Sequence, residues 1–141
     1  MAKIIKLTKN LSLHEYIPET LYREYEGREH ILIGLLDKRL VTADQLLRDR
    51  FGPVTINNWW WGGRRTWSGL RTQDSPYFSP TSQHSFGRAS DKLFAKVTAE
   101  EVLEDIRPNH ERYGITGIEE GVSWVHSDVR WSLGGLSIFK P

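Results

Sequence analysis

A chain of 141 residues with 38% hydrophobic and 26% charged residues can build one packed core and is too short for two cores and a linker. Nineteen Lys and Arg against eighteen Asp and Glu leave a net charge of +1, a weak footprint for phosphate backbones, so no nucleic-acid partner is expected. The absence of cysteine excludes disulfides, thiolate metal sites and a cysteine nucleophile, so any metal must be held by His, Asp and Glu.

From Met1 to Lys9 there are three Lys but no apolar run long enough for a signal peptide, and no later stretch is long and apolar enough for a membrane span. The expectation is a soluble protein made in the cytoplasm and acting as a monomer. Between Arg28 and Leu40, the spacing of Ile31, Leu32, Leu35 and Leu36 predicts an amphipathic helix. Thr42 and Gln45 form a capping-box pattern ahead of a second helix that Gly52 and Pro53 stop. Val54 to Ile56 is a β-branched run and predicts a strand. The segment from Trp61 to Gln83 is dense in Gly, Ser, Thr, Pro and Arg and predicts an ordered loop.

Ala89 to Val97 and Val122 to Trp131 carry strand-type residues, with weaker candidates at Ile115 to Ile118 and Leu136 to Phe139. Thr98 and Glu101 open a third helix with an apolar stripe of Val102, Leu103 and Ile106, which Pro108 is expected to interrupt. Glu100, Glu101, Glu104 and Asp105 are expected to form a solvated helix face. Early helices and later strands predict one α+β domain over residues 1–141, with helices packed on a mainly antiparallel sheet and the motif-bearing core at 53–140.

The chemistry concentrates in Ser82-Gln83-His84-Ser85-Phe86-Gly87-Arg88-Ala89-Ser90-Asp91, which reads S-x-H-x-x-G-x-A-x-D. A turn near Gly87 followed by a strand can bring the His84 imidazole and the Asp91 carboxylate to one point. Trp124-Val125-His126-Ser127-Asp128 supplies a second imidazole, and strand alternation sends Trp124, His126 and Asp128 to one face. Two His and one Asp with a free coordination position form the donor set of a catalytic zinc centre.

These two elements, with Ser68-Gly69-Leu70-Arg71 read as an S-G-x-R motif, resemble the zinc D-Ala-D-Ala carboxypeptidases and L-alanyl-D-glutamate endopeptidases of the Hedgehog/DD-peptidase fold, a group that includes VanX-type dipeptidases and phage endolysins. The resemblance covers residues 68 to 130. It implies one Zn2+ held by His84, Asp91 and His126, with Arg71 beside the metal to bind substrate or steady a developing oxyanion. Ser82 and Trp124 are taken as substrate-binding positions. The implied substrate is the stem peptide of bacterial peptidoglycan, and the implied setting is a phage lysis or virion-associated enzyme that reaches the wall after release or as part of a virion.

One position departs from the family. The catalytic Glu of many members stands three residues before the last His, where this chain has Ser123. The resemblance to relatives with an earlier Glu puts the base at Glu120, beside Glu119, with Asp128 as competitor or as the partner that orients an imidazole. The alternative is a metal-binding structural or wall-binding module without turnover. A non-haem iron oxygenase is a third class, because His126-Ser127-Asp128 reads H-x-D, but no His follows residue 126.

His14, His30 and His110 lack matching partners and are expected in surface or capping roles. Trp59, Trp60, Trp61 and Trp67 with Arg64 and Arg65 are expected mainly to pack, as alternating aromatics after Ile56, or else to line a substrate groove.

Overall fold

The structure is a computed structural model that describes residues 3–141. Met1 and Ala2, which begin the expected domain and the Lys-bearing N-terminal stretch, lie outside the described residues. Five strands form one sheet in the order β1-β2-β4-β3-β5: β1 Val54–Thr55, β2 Ala89–Phe94, β3 Gly117–Glu119, β4 Val125–Asp128 and β5 Ser137–Phe139. Every pairing is antiparallel except β3 with β5. The domain is of the α+β class. At its centre Asp91 on β2 lies opposite His126 on β4.

The described residues form four α-helices: α1 Glu19–Glu24, α2 His30–Ile33, α3 Lys38–Phe51 and α4 Ala99–Tyr113. Ala43 and Leu47 of α3, Val102, Leu103 and Ile106 of α4, and Ile118 and Val125 of the sheet close into one apolar cluster. Helices α3 and α4 therefore cover one face of the central strands. Burial of this kind yields about 1.5–3 kcal/mol for each large aliphatic side chain. Two further clusters, around Leu40 with Ile56 and around Leu32 with Trp59, seat the N-terminal segment against the sheet.

Several boundaries differ from the sequence reading. The predicted helix over Arg28–Leu40 breaks into α2 and the start of α3. Of its stripe only Leu32 is fully buried, while Ile31 and Leu35 are 45% and 43% exposed. Local hydrogen bonding outweighs periodicity here, because the Asp37 side chain caps α3 by accepting from the Arg39 amide at 2.9 Å. Helix α3 thus begins four residues before Thr42. Gln45 faces outward from it and accepts from the Thr8 hydroxyl and the Asn10 amide at 2.6 and 2.9 Å. The end at Gly52 is as expected.

Helix α1 carries no periodic signal and follows Pro18, whose fixed φ suits a helix start. Thr98 caps α4 as expected, accepting from the Glu101 amide. The helix runs through Pro108 with a kink at Asn109 (φ −117°), whose side-chain amide donates to the Asp105 carbonyl. Glu100, Glu101 and Glu104 are exposed, but Asp105 is drawn inward to the Tyr113 hydroxyl. Trp59–Trp61 forms a 3-10 turn, not an alternating strand, with Trp59 buried and Trp61 exposed.

Candidate metal centre

The sheet face opposite α3 and α4 floors an open cleft of about 820 Å3. Its floor holds His84, Asp91 and His126, and its walls include Trp67, Arg71, Tyr77, Trp124 and Phe139. His84 stands in a 3-10 turn, Gln83–Phe86, whose cap is the Ser82 hydroxyl accepting from the His84 amide. Gly87 then takes a φ of +68° and passes so close to the Leu35 carbonyl that a Cβ would overlap it. That turn delivers the chain into β2, and three residues into the strand Asp91 points back at His84. Of the loop expected from Trp61 to Gln83, residues 62–82 contain no helix or strand while its two ends fall in 3-10 turns, and it is tied down by Leu70 N to the Tyr16 carbonyl at 2.8 Å and Asp91 N to the Ser68 carbonyl at 2.7 Å.

Each imidazole is held by one nitrogen and turns the other toward Asp91. His84 Nδ1 lies 2.8 Å from the Gly69 carbonyl, which accepts only, so that nitrogen carries the proton and Nε2 presents a lone pair. His126 Nε2 lies 2.8 Å from Asp128 Oδ2, which leaves Nδ1 facing the site. Asp91 Oδ1 sits 3.4 Å from His84 Nε2 and 2.9 Å from His126 Nδ1. One donor atom from each of the three residues falls within 4.8 Å of the others. Without an ion, a proton on His126 Nδ1 bridges that ring to Asp91 Oδ1; a divalent cation would take the place of that proton and be met by all three donor atoms. Tetrahedral bonds of about 2 Å put donor atoms roughly 3.3 Å apart, close to these spacings. The three residues fit a divalent metal ion.

The electrostatics agree with that convergence. Burial alone would raise the Asp91 carboxyl, but hydrogen bonding and charge from His126 and His84 hold it well below the usual carboxylate range. Burial lowers His84. For His126 the same penalty is outweighed by Asp128 and Asp91, which raise its pKa. Asp128 is itself fully buried, and Arg130 grips it with two hydrogen bonds of 2.8 and 2.6 Å. A Cβ on Gly117 would strike the Asp128 carboxylate, so a side chain there is incompatible with this pairing.

Arg71 reaches the site, with its guanidinium 3.0 Å from Asp91 Oδ2 and its Nε on the Trp67 carbonyl at 2.8 Å. Glu120 does not. Its carboxylate is held by Arg107 of α4 at 2.6 Å, on the helix side of the sheet, and it is absent from the cleft walls. The reason is strand parity: successive residues of β3 face opposite ways, so Glu119 lines the cleft while Glu120 faces α4. Desolvation raises the Glu119 pKa. Ser82 and Trp124 both border the cleft, although the Ser82 hydroxyl is also spent on capping. Asp128 orients His126 and pairs with Arg130, so the H-x-D element does not supply two ligands.

Residues that the motif reading missed include the Gly69 carbonyl, Arg130, Tyr77 and Phe139. Arg130 had a signal, since it shares the alternation of His126 and Asp128. The others come from segments distant in sequence. His14 departs furthest from expectation: it is buried, stacked on Trp60 with ring centroids 4.5 Å apart, and neither ring nitrogen has a partner. His30 is exposed, and His110 Nδ1 lies 3.2 Å from the Ile115 carbonyl. Among the described residues no helix is long and apolar enough to cross a membrane. No protein-family model, curated protein or solved structure matches the chain.

Proposed function

We propose that the chain is a zinc peptidase that hydrolyses a peptide bond in the stem peptide of bacterial cell wall, in the manner of the D-Ala-D-Ala carboxypeptidases and L-alanyl-D-glutamate endopeptidases its motifs resemble. The supporting observation is the convergence of His84 Nε2, His126 Nδ1 and Asp91 Oδ1 on the floor of an open cleft, with both rings locked from behind. Zinc held there would polarise a carbonyl and acidify water. Glu119, on the cleft wall and raised in pKa by desolvation, takes the proton from the attacking water and returns it to the leaving amine. Arg71 keeps one edge on Asp91 and offers its permanent charge to a substrate carboxylate or to the oxyanion. Tyr77 and Trp124 supply flat walls for an extended peptide. The chain would act on the wall as a phage lysis or virion component.

Ser123 at the family's usual Glu position favours one other reading, a metal-binding or wall-binding module without turnover. A single experiment separates the two. Metal-free protein reloaded with Zn2+ is incubated with purified sacculi and defined muropeptides, and new amino termini are counted. Release that a chelator stops supports the peptidase; a fully loaded protein that releases nothing from any stem peptide favours the inert module.

A further inference from the structure

The face of β2 and β4 turned away from the cleft carries charges that the site does not use. Lys92 and Asp44 are both buried, with Lys92 Nζ 3.2 Å from Asp44 Oδ1. The same ammonium donates to the Ser127 hydroxyl at 2.6 Å and to the Ser90 carbonyl at 3.1 Å. The second Asp44 oxygen accepts from the Ser90 and Tyr16 hydroxyls at 2.7 and 2.8 Å. These contacts join β2, β4, α3 and the N-terminal segment. Ser90 and Ser127 are the immediate neighbours of Asp91 and His126 along their strands, and the two serines lie opposite each other.

Withdrawing two charges from water costs more than packing two apolar side chains in the same volume, so stability is a poor reason for the pair. Register is a better one. The β2–β4 ladder is only four residue pairs long. A slip of two residues keeps every side chain on its own face yet sets Asp91 opposite Asp128 or Trp124 instead of His126. The core-facing serines are too small to resist such a slip by packing. A two-residue slip moves Ser127 by about 7 Å along β2, and Lys92 Nζ cannot then hold Asp44, the Ser90 carbonyl and the Ser127 hydroxyl together.

We propose that Lys92 and Asp44 are positioning residues that lock the register of the two ligand-bearing strands from behind the sheet, and so keep His126 opposite Asp91. The effect on ion binding rests on the metal reading above; the register itself belongs to the metal-free chain. The test uses Lys92→Met/Asp44→Leu, which replaces the pair by apolar side chains, and Ser127→Ala, which deletes one hydrogen bond. Cross-strand backbone proton contacts between Asp91 and His126 are read by NMR in metal-free protein, and Co2+ binding is followed by visible absorption.

The double variant is expected to unfold cooperatively, to show weakened native contacts or a second set of β2 and β4 resonances, and to bind Co2+ at least about tenfold more weakly with an altered absorption band. Ser127→Ala moves both readouts the same way by less, and decides the matter if the double variant does not fold. Native cross-strand contacts in the folded variants overturn the proposal whatever the ion affinity. A wild-type chain that binds no Co2+ sinks the metal reading, while the contacts still decide the register.

Discussion

His84 donates its Nδ1 proton to the Gly69 carbonyl, which leaves Nε2 as its free nitrogen, whereas His126 has a carboxylate at each nitrogen, Asp128 at Nε2 and Asp91 at Nδ1, and an ion in the cleft would displace the Nδ1 proton. The buried Asp128, gripped by the partly exposed Arg130, therefore governs how His126 meets an ion. Asp128→Asn keeps an acceptor but loses the charge, and it is expected to weaken Zn2+ binding about 10–100-fold, measured by competition with a chelating dye. The two neighbouring glutamates face opposite sides of the sheet, and the proposed reaction uses only Glu119. Glu119→Gln should lower peptide hydrolysis by about 10²–10⁴-fold with zinc content unchanged. Glu120→Gln should leave hydrolysis intact and cost only about 0.5 kcal/mol in denaturant unfolding, the worth of its partly exposed pairing with Arg107. The reverse ranking would return the base to Glu120.

Among elements, the turn that launches β2 is the most constrained. Gly87 combines a φ of +68° with backbone packed where a Cβ would stand, so Gly87→Ala is expected to cost about 2 kcal/mol or more in chemical denaturation. A loss under about 0.5 kcal/mol would mean that Leu35 yields easily. This turn also shows what the sequence could tell. Ser82, His84, Gly87 and Asp91 lie within ten residues, and their local geometry follows from cap, turn and strand alternation. Strand β1 was legible from its β-branched run, β2 and β4 from alternating or bulky strand-type residues, β3 and β5 more weakly, and α4 from its cap. The break between α2 and α3 was not, because it depends on Asp37, whose amide also bonds the Gly87 carbonyl from a distant segment. The choice between Glu119 and Glu120 needed the register of β3, which one residue of uncertainty reverses. The Gly69 carbonyl behind His84 and Phe139 on the cleft wall reach their places only through tertiary packing.

For the whole molecule, the N-terminal segment adds a source of acid sensitivity between pH 6.5 and about 4. His14 sits in a cage of Trp59, Trp60 and Trp61, where burial, with Lys6 nearby, pushes its pKa down to about 4. Its folded pKa lies below the unfolded value of 6.5, so the unfolded chain takes up the proton first as pH falls. The contribution of His14 to stability is therefore full above pH 6.5, declines as pH drops, and levels off below about pH 4. Thermal unfolding of His14→Phe should show a flatter profile across that window; a profile as steep as wild type would place the acid sensitivity elsewhere. The proposed chemistry turns on three side chains from separate segments, His84, Asp91 and His126, sharing one divalent ion. Calorimetric titration of chelator-stripped protein with Zn2+ tests it most directly. One ion per chain, bound tightly by wild type and lost in both His84→Ala and His126→Ala, is the expected result; no binding, or binding that survives in both folded variants, would contradict it.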